Sequence, residues 1–183
     1  MNNDLLKKYS EVTDLIQTEF VRNTDKYGSK IKCREGCSLC CHQLFRITEL
    51  DAFIIKDHVN NISIEERNIL KEKATEYIKL FDLNDKIKPP CPALSDEGSC
   101  TIYEGRPVIC RRFGPPVYDY KNPGKIFSCE LNFSKGEEID DIELIPNQTF
   151  IGKKWDELKT EFNIVTDAKE NASTTIAEAL LNS

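Results

Sequence analysis

The residues best suited to chemistry in this sequence are its eight cysteines, four of which fall within nine consecutive positions. Thiolates are strong ligands for soft metals, and several thiolates in one short loop repel one another unless a cation or a cluster neutralises them. The cysteines therefore predict a metal site, and each of them is a candidate ligand. They are Cys33, Cys37, Cys40, Cys41, Cys91, Cys100, Cys110 and Cys129.

The spacing of the cysteines favours an iron–sulfur cluster over zinc. Zinc ribbons usually have two C-x2-C knuckles, whereas only Cys37 and Cys40 have that spacing here. A cluster accepts thiolates from dispersed loops. Neighbouring residues such as Cys40 and Cys41 point in different directions in most backbones, so we expect a polynuclear site or two sites. Zinc stays open as the alternative metal.

Disulfides, covalent haem and a thioredoxin-like motif fit the cysteines less well than a metal site does. Disulfides are disfavoured in the cytosol, where the lack of an apolar N-terminal run places this chain. The segment from Cys37 to His42 is a lengthened form of the haem attachment site, and Cys37 with Cys40 lacks the strand that should precede a thioredoxin motif. His42 is either a further ligand or a residue facing solvent.

Arginines flank the cysteines and are candidates for tuning the metal. Arg111 and Arg112 directly follow Cys110, and guanidinium groups beside sulfur ligands offset thiolate charge. We therefore assign Arg111 and Arg112 as cofactor-binding residues, with pairing to surface carboxylates as the alternative. Arg34, Arg46 and Arg106 also lie near cysteines in the sequence. Catalytic residues are not identifiable from the sequence.

A linked order of motifs gives the chain a family resemblance. The motifs are Cys33, Gly36, Cys37, Cys40 and Cys41, then Ile47-Thr48-Glu49-Leu50, Cys91-Pro92-Ala93-Leu94, Cys100-Thr101-Ile102-Tyr103 with Arg106-Pro107, and Cys110-Arg111-Arg112-Phe113. They resemble the YkgJ-type cysteine-cluster family, a zinc- or iron-chelating domain with a C-x-x-C-x-x-C-C signature. The resemblance covers roughly residues 32–129 and departs from the signature in the longer spacing between Cys33 and Cys37.

This resemblance implies a metal-chelating domain. The cysteine pattern is also similar to that of the flagellin lysine N-methylases, which implies a metal- or cluster-dependent enzyme that modifies a protein or a small molecule. The short chain lacks a glycine-rich nucleotide loop, which weakens that implication.

The elements around the cysteines predict a mainly α-helical fold with little β, in a single domain over residues 1–183. Helical spacing of apolar residues and two capping boxes, Thr48 with Asp51 and Ser63 with Glu66, predict the helices. The predicted helices span residues 4–22, 48–59, 63 to near Leu83-Asn84, 149–162 and 174–181. Prolines make the chain from residue 88 to about 135 mostly loop with short strands or turns, so the metal-binding core over 32–129 is loop-rich.

Charge and hydropathy exclude two classes of partner. The net charge of −6 disfavours nucleic acid and anionic lipid. Apolar runs stay well below the ~18 residues that a membrane helix needs. We therefore predict a cytoplasmic metal-binding protein that stores, delivers or structurally uses an iron–sulfur cluster or zinc, with an unknown protein or small-molecule partner. A cluster-dependent enzyme is the alternative, and a partner-binding module with a structural metal is a third hypothesis.

Overall fold

The computed structural model describes residues 3–83, 88–134, 136–169 and 172–183. These residues are mainly α-helical with little strand, which confirms the predicted fold class. In the described residues, no helix is both long enough and apolar enough to cross a membrane. The elements in chain order are α1 (Asn3–Tyr27), β1 (Arg46–Thr48), α2 (Glu49–Asn60), α3 (Ile64–Leu83), α4 (Val108–Arg112), β2 (Val117–Tyr118), β3 (Ile126–Phe127), α5 (Leu144–Thr166), β4 (Ser173–Thr175) and α6 (Ile176–Leu181), with 3-10 turns at Gly28–Lys30 and Leu39–His42.

The chain forms two compact units whose segments alternate along the sequence. Unit 1 consists of Met1–Arg34 and Arg111–Glu170, and unit 2 consists of Glu35–Cys110 and Asn171–Ser183. Each unit therefore joins segments that are far apart in the chain. A single domain over residues 1–183 stays a prediction.

Unit 1 is built on the packing of α1 against α5. The edge of the Tyr9 ring meets Trp155 at 6.1 Å between centroids, and Trp155 is buried as the sequence predicts for a core anchor. The buried side chains that these helices share are Leu5, Val12, Ile16, Ile151, Leu158 and Phe162. Both helices are longer than predicted, since α1 runs to Tyr27 rather than residue 22 and α5 begins at Leu144 rather than residue 149.

The part of α1 beyond its predicted end is polar by sequence, and its first residue, Asn23, is hydrogen-bonded to Glu19 in the preceding turn. Glu19 is almost fully buried and accepts hydrogen bonds from Arg22 at 2.8 and 2.7 Å. Asn23 donates to the Glu19 carbonyl and carboxylate at 2.8 Å each. Buried polar groups need such partners. Since these partners are present, the helix continues past residue 22 through polar residues that the pattern of apolar residues does not include.

Unit 2 surrounds an aliphatic core with α2, α3 and α6. The core includes the fully buried Ile55, Val59, Ala74 and Leu180. Its two-stranded sheet pairs β1 with β4 in antiparallel register, from Arg46 opposite Thr175 to Thr48 opposite Ser173. The C-terminal segment thus completes both the sheet and the core of this unit.

Both predicted capping boxes are present. Thr48 and Asp51 cap α2 reciprocally, and Ser63 and Glu66 make the same exchange at the start of α3. The start of α3, at Ile64, agrees with the prediction, while Asn84 and Lys135, named in the predicted helix end and loop end, lie outside the described residues.

The proline-rich stretch contains one helix that the sequence did not predict. The five-residue helix α4 carries Cys110 and begins directly after Pro107. Proline lacks an N–H, but the first N–H groups of a helix have no partner within the helix, so Pro107 is compatible with a helix that starts at Val108. The short strands β2 and β3 pair in antiparallel register in unit 1, as expected of short strands in this region.

Candidate metal centre

Five of the eight cysteines come from three stretches of unit 2. The 3-10 turn at Leu39–His42 carries Cys40 and Cys41. A tight loop between Cys91 and Thr101 carries the next pair, and α4 carries Cys110. We call Cys40, Cys41, Cys91, Cys100 and Cys110 the five-thiol group.

Backbone hydrogen bonds fix the first two stretches against each other. The N–H of Cys91 donates to the Cys41 carbonyl at 2.7 Å. Within the tight loop, Leu94 and Cys100 form an antiparallel bridge, and the N–H of Thr101 donates to the Ala93 carbonyl at 2.8 Å. Cys91 and Cys100 also pack against the aliphatic core of unit 2. Backbone hydrogen bonds and core packing therefore fix the positions of Cys91 and Cys100.

A hydrogen bond from the Cys41 thiol to the Cys40 sulfur couples the ionisation of these two neighbours. In a 3-10 turn, with three residues per turn, successive side chains are separated by about 120° rather than by the 180° of a strand. The bond from Cys41 lowers the pKa of Cys40 to about 6, with help from the charge of Arg106. The same bond raises the pKa of Cys41.

The two most enclosed thiols of the group are held in the neutral form. Burial raises the pKa of Cys91 to about 11, and the neighbouring Cys100 and Cys40 act in the same direction. Burial also raises the pKa of Cys110, to which Cys91, Cys40 and Cys100 add. A buried thiolate is unstable without a cation beside it, so soft-metal binding fits this donor set.

Cys37 and His42 lie at the surface of unit 2. Both side chains are exposed, which agrees with the solvent-facing alternative for His42; its role as a ligand stays a prediction. In the described ranges of the chain, no three cysteine, histidine or carboxylate side chains stand in a geometry that encloses one ion.

Cys33 and Cys129 belong to unit 1, where both lie next to Gly114. The N–H of Cys129 donates to the Gly114 carbonyl at 2.9 Å, and Asn132 Nδ2 donates to that same oxygen at 2.6 Å. A Cβ at Gly114 would lie 2.4 Å from Cys33 Sγ, and the φ angle there is +130°. Only glycine fits this position, because the site lacks room and the backbone conformation excludes other residues.

The arginines near the cysteines have different surroundings. In unit 2, the Arg106 guanidinium lies 3.6 Å from the centroid of the Tyr103 ring and stabilises the Cys40 thiolate. In unit 1, Arg112 donates to Gln148 at 2.9 Å, and burial lowers its pKa. The cofactor-binding role of Arg111 and Arg112 stays a prediction.

Asp51 is a buried residue beside the five-thiol group whose position the sequence did not reveal. Its side chain caps α2, as predicted, and also accepts the N–H of Val108 at 2.8 Å. Val108 is 57 positions away in the chain, and periodicity or capping rules contain no signal for such a contact. What distinguishes Asp51 from an ordinary helix cap is its burial, since it is only 3% exposed. Burial cannot be read from the sequence.

Comparison with known proteins gives one match. The model of the CxxCxxCC family, described as a "putative zinc- or iron-chelating domain", matches residues 32–126, just over half of the chain. None of the curated proteins and none of the solved structures matches the chain. The matched range contains all five cysteines of the five-thiol group, together with Cys33 and Cys37.

Proposed function

Since the chain belongs to the CxxCxxCC family, we propose that it binds its metal through the five-thiol group of unit 2. One observation carries this proposal: cysteines from three separate stretches of the chain lie close enough for the charges of Cys40, Cys91 and Cys100 to raise the pKa of both Cys41 and Cys110. Family membership supports metal chelation in general. The assignment to these five residues rests on their grouping.

An iron–sulfur cluster is the metal form that we propose ahead of zinc. A turn, a tight loop and a short helix supply the thiols, in place of two C-x2-C knuckles around one tetrahedral ion. Clusters take thiolates at separate iron corners and so suit such a dispersed set. Arg106 supports this form as well, because a cation beside the sulfurs offsets the negative charge of a thiolate-bound cluster.

The proposed role is that of a cytoplasmic protein that stores, delivers or structurally uses this metal. The experiment is anaerobic purification of the full chain, followed by elemental analysis, acid-labile sulfide determination and a visible spectrum. Iron with matching sulfide and a visible chromophore is expected. Zinc without visible absorbance would replace the cluster by zinc, and a protein without metal would refute the proposal.

Single substitutions test the assignment to the five-thiol group. Cys100→Ser removes a half-buried thiol from the group, whereas Cys37→Ser removes an exposed thiol of the same unit. We expect Cys100→Ser to lose most of the bound metal and Cys37→Ser to keep it. Equal loss in both variants would contradict the assignment, and melting curves of the metal-free variants control for folding.

The alternative function is a metal- or cluster-dependent enzyme, which the similarity to the flagellin lysine N-methylases suggests. An enzyme needs a coordination position open to substrate, whereas a structural site is closed by protein ligands. Adding cyanide or imidazole to the Co²⁺-loaded protein tests this directly. A spectral shift would favour the enzyme, and an unchanged spectrum would favour storage, delivery or structure.

A further inference from the structure

We infer that Asp51 is a positioning residue for the metal centre, which fixes Cys110 by binding the backbone at the start of α4. The inference rests on the proposed function. Asp51 Oδ1 accepts the N–H of Val108 at 2.8 Å, and Val108 is the first residue of α4. Cys110 follows two positions later and closes the first turn by donating its N–H to the Pro107 carbonyl at 3.0 Å.

The second carboxylate oxygen of Asp51 is engaged at the same time. Oδ2 accepts the Thr48 N–H at 3.2 Å and the Thr48 hydroxyl at 2.8 Å. The Asp51 N–H in turn donates to Thr48 Oγ1 at 3.1 Å. One side chain therefore joins the start of α2 to the start of α4, and each connection uses a different oxygen.

Because Asp51 is buried, its carboxylate requires hydrogen-bond partners within the protein. Asp51 is only 3% exposed, and a buried carboxylate is tolerated only when hydrogen bonds replace its water. A capping box at a surface helix needs no such burial, as the exposed pair Ser63 and Glu66 at the start of α3 demonstrates. The added function at Asp51 is the bond to Val108 between two distant segments.

Aspartate suits this double role better than asparagine or alanine does. Asparagine has a single acceptor oxygen, so it can keep the Val108 bond or the Thr48 bond but not both. Alanine loses both. In the segment that leads into α4, the backbone bond from the Arg106 N–H to the Tyr103 carbonyl is long, at 3.4 Å. The bond from the Val108 N–H to Asp51 is shorter, at 2.8 Å, and therefore constrains where Cys110 lies.

The test uses full-length, reduced, metal-free protein titrated anaerobically with Co²⁺, whose thiolate charge-transfer band reports the number of sulfur ligands. We expect Asp51→Ala to lower Co²⁺ affinity by about 10- to 100-fold, the usual effect of losing a group that orients a ligand. Its band should weaken to that of Cys110→Ser. Asp51→Asn, which retains one of the two acceptors, should lie between wild type and Asp51→Ala, and it replaces the alanine variant if the latter does not fold.

Thr48→Val is the matched control, because it removes the capping partner and leaves the Asp51 bond to Val108 intact. It should lower the melting temperature of the metal-free protein as Asp51→Asn does, yet leave the Co²⁺ band unchanged. If Thr48→Val and the Asp51 variants weaken Co²⁺ binding equally, Asp51 is only a helix cap and the inference is wrong.

A double substitution asks whether Asp51 acts through Cys110. In a Cys110→Ser background the Asp51 substitution should have no further effect on Co²⁺ affinity, whereas in a Cys100→Ser background its full effect should remain. An undiminished effect in both backgrounds would overturn the inference. If the wild-type chain binds neither Co²⁺ nor Zn²⁺ and takes up no iron–sulfur cluster, the proposed function fails and this inference with it. If it takes up only the cluster, the visible absorbance of the cluster replaces the Co²⁺ band in the same comparison of variants. Normal wild-type binding with unaffected Asp51 variants refutes the inference alone.

Discussion

The two units are stabilised by different chemistry. Unit 1 is stabilised by aromatic packing between α1 and α5 and by ion pairs, such as that of Arg22 with the almost fully buried Asp141 at 2.6 Å. Unit 2 has an aliphatic core on which neutral, partly buried thiols rest. The buried carboxylates Glu19 and Asp141 of unit 1 have a cationic partner, Arg22, within the chain. The buried thiols that we propose as ligands in unit 2 gain such a partner only when a metal cation binds. We therefore expect metal to matter to one unit and not to the other.

Metal removal should produce the largest difference in stability between the two units. We expect the free energy of opening around Cys91, Cys100 and Cys110 to fall by about 4 kcal/mol when the metal, present at about 1,000 times its dissociation constant, is removed. Hydrogen exchange followed peptide by peptide measures this, with α1 and α5 of unit 1 as the internal control. Equal loss of protection in both units would erase the distinction between them.

A core substitution in unit 1 should give the converse result. Trp155→Ala removes a buried ring that meets Tyr9, and such truncations cost about 3 to 4 kcal/mol of unfolding free energy. The metal content of the folded variant should stay at the wild-type value. Urea denaturation and elemental analysis are the measurements, and metal loss from the folded variant would show that unit 1 takes part in binding.

Gly114 of unit 1 allows the steric cost of a side chain beside Cys33 to be compared with the cost of an unfavourable φ angle alone. Gly114→Ala places a Cβ 2.4 Å from Cys33 Sγ at a φ of +130°, so we expect a loss of about 2 to 3 kcal/mol. Gly36→Ala in unit 2 is the matched control. Its φ of +81° is also unfavourable, but its Cβ meets nothing within 4 Å, so its loss should be about 1 kcal/mol. Similar losses in the two variants would rule out the contact with Cys33 as the cause.

Acid should weaken unit 1 through Asp156. Burial opposes ionisation of this group, but hydrogen bonds from Lys121, Lys159 and Tyr120 outweigh it and lower the pKa from 3.8 to about 2. The unfolded chain therefore takes up a proton first as the pH falls, and the stabilisation present above pH 3.8 is lost towards pH 2. We expect about 1 to 2 kcal/mol, because the lysines are partly exposed. Asp156→Asn should remove this part of the acid dependence; an unchanged pH profile would contradict the assignment.

Local signals in the sequence predict much of the fold. Helical spacing and the boxes at Thr48 and Ser63 place α2 and α3 within a residue or two of their observed starts. The end of α1 and the start of α5 were missed because polar residues with partners in the folded chain continue both helices, and apolar periodicity does not count such residues. Asn23 of α1 and Asn147 of α5 each donate to Glu19. Short-range rules contain no term for such tertiary partners.

The candidate site was predictable as a set of residue types but not as an arrangement. The cysteine spacing predicts thiols as ligands, yet it cannot show that Cys91 and Cys100 share a bridged loop or that the Cys41 thiol hydrogen-bonds to Cys40. Nor can it show that Asp51 reaches Val108 across 57 positions. These contacts depend on how distant segments meet, which is decided by the packed core.

The alternation of segments between the two units has a consequence for biosynthesis. The segment from Arg111 to Glu170 leaves the ribosome before the one that begins at Asn171, so unit 1 has all its parts first. Unit 2 is complete only after β4 and α6 have been synthesised. β4 is the partner strand of β1, and α6 contributes the buried Leu180. Its thiols are therefore translated long before their supporting core is complete, and during that interval they depend on the reducing power of their surroundings.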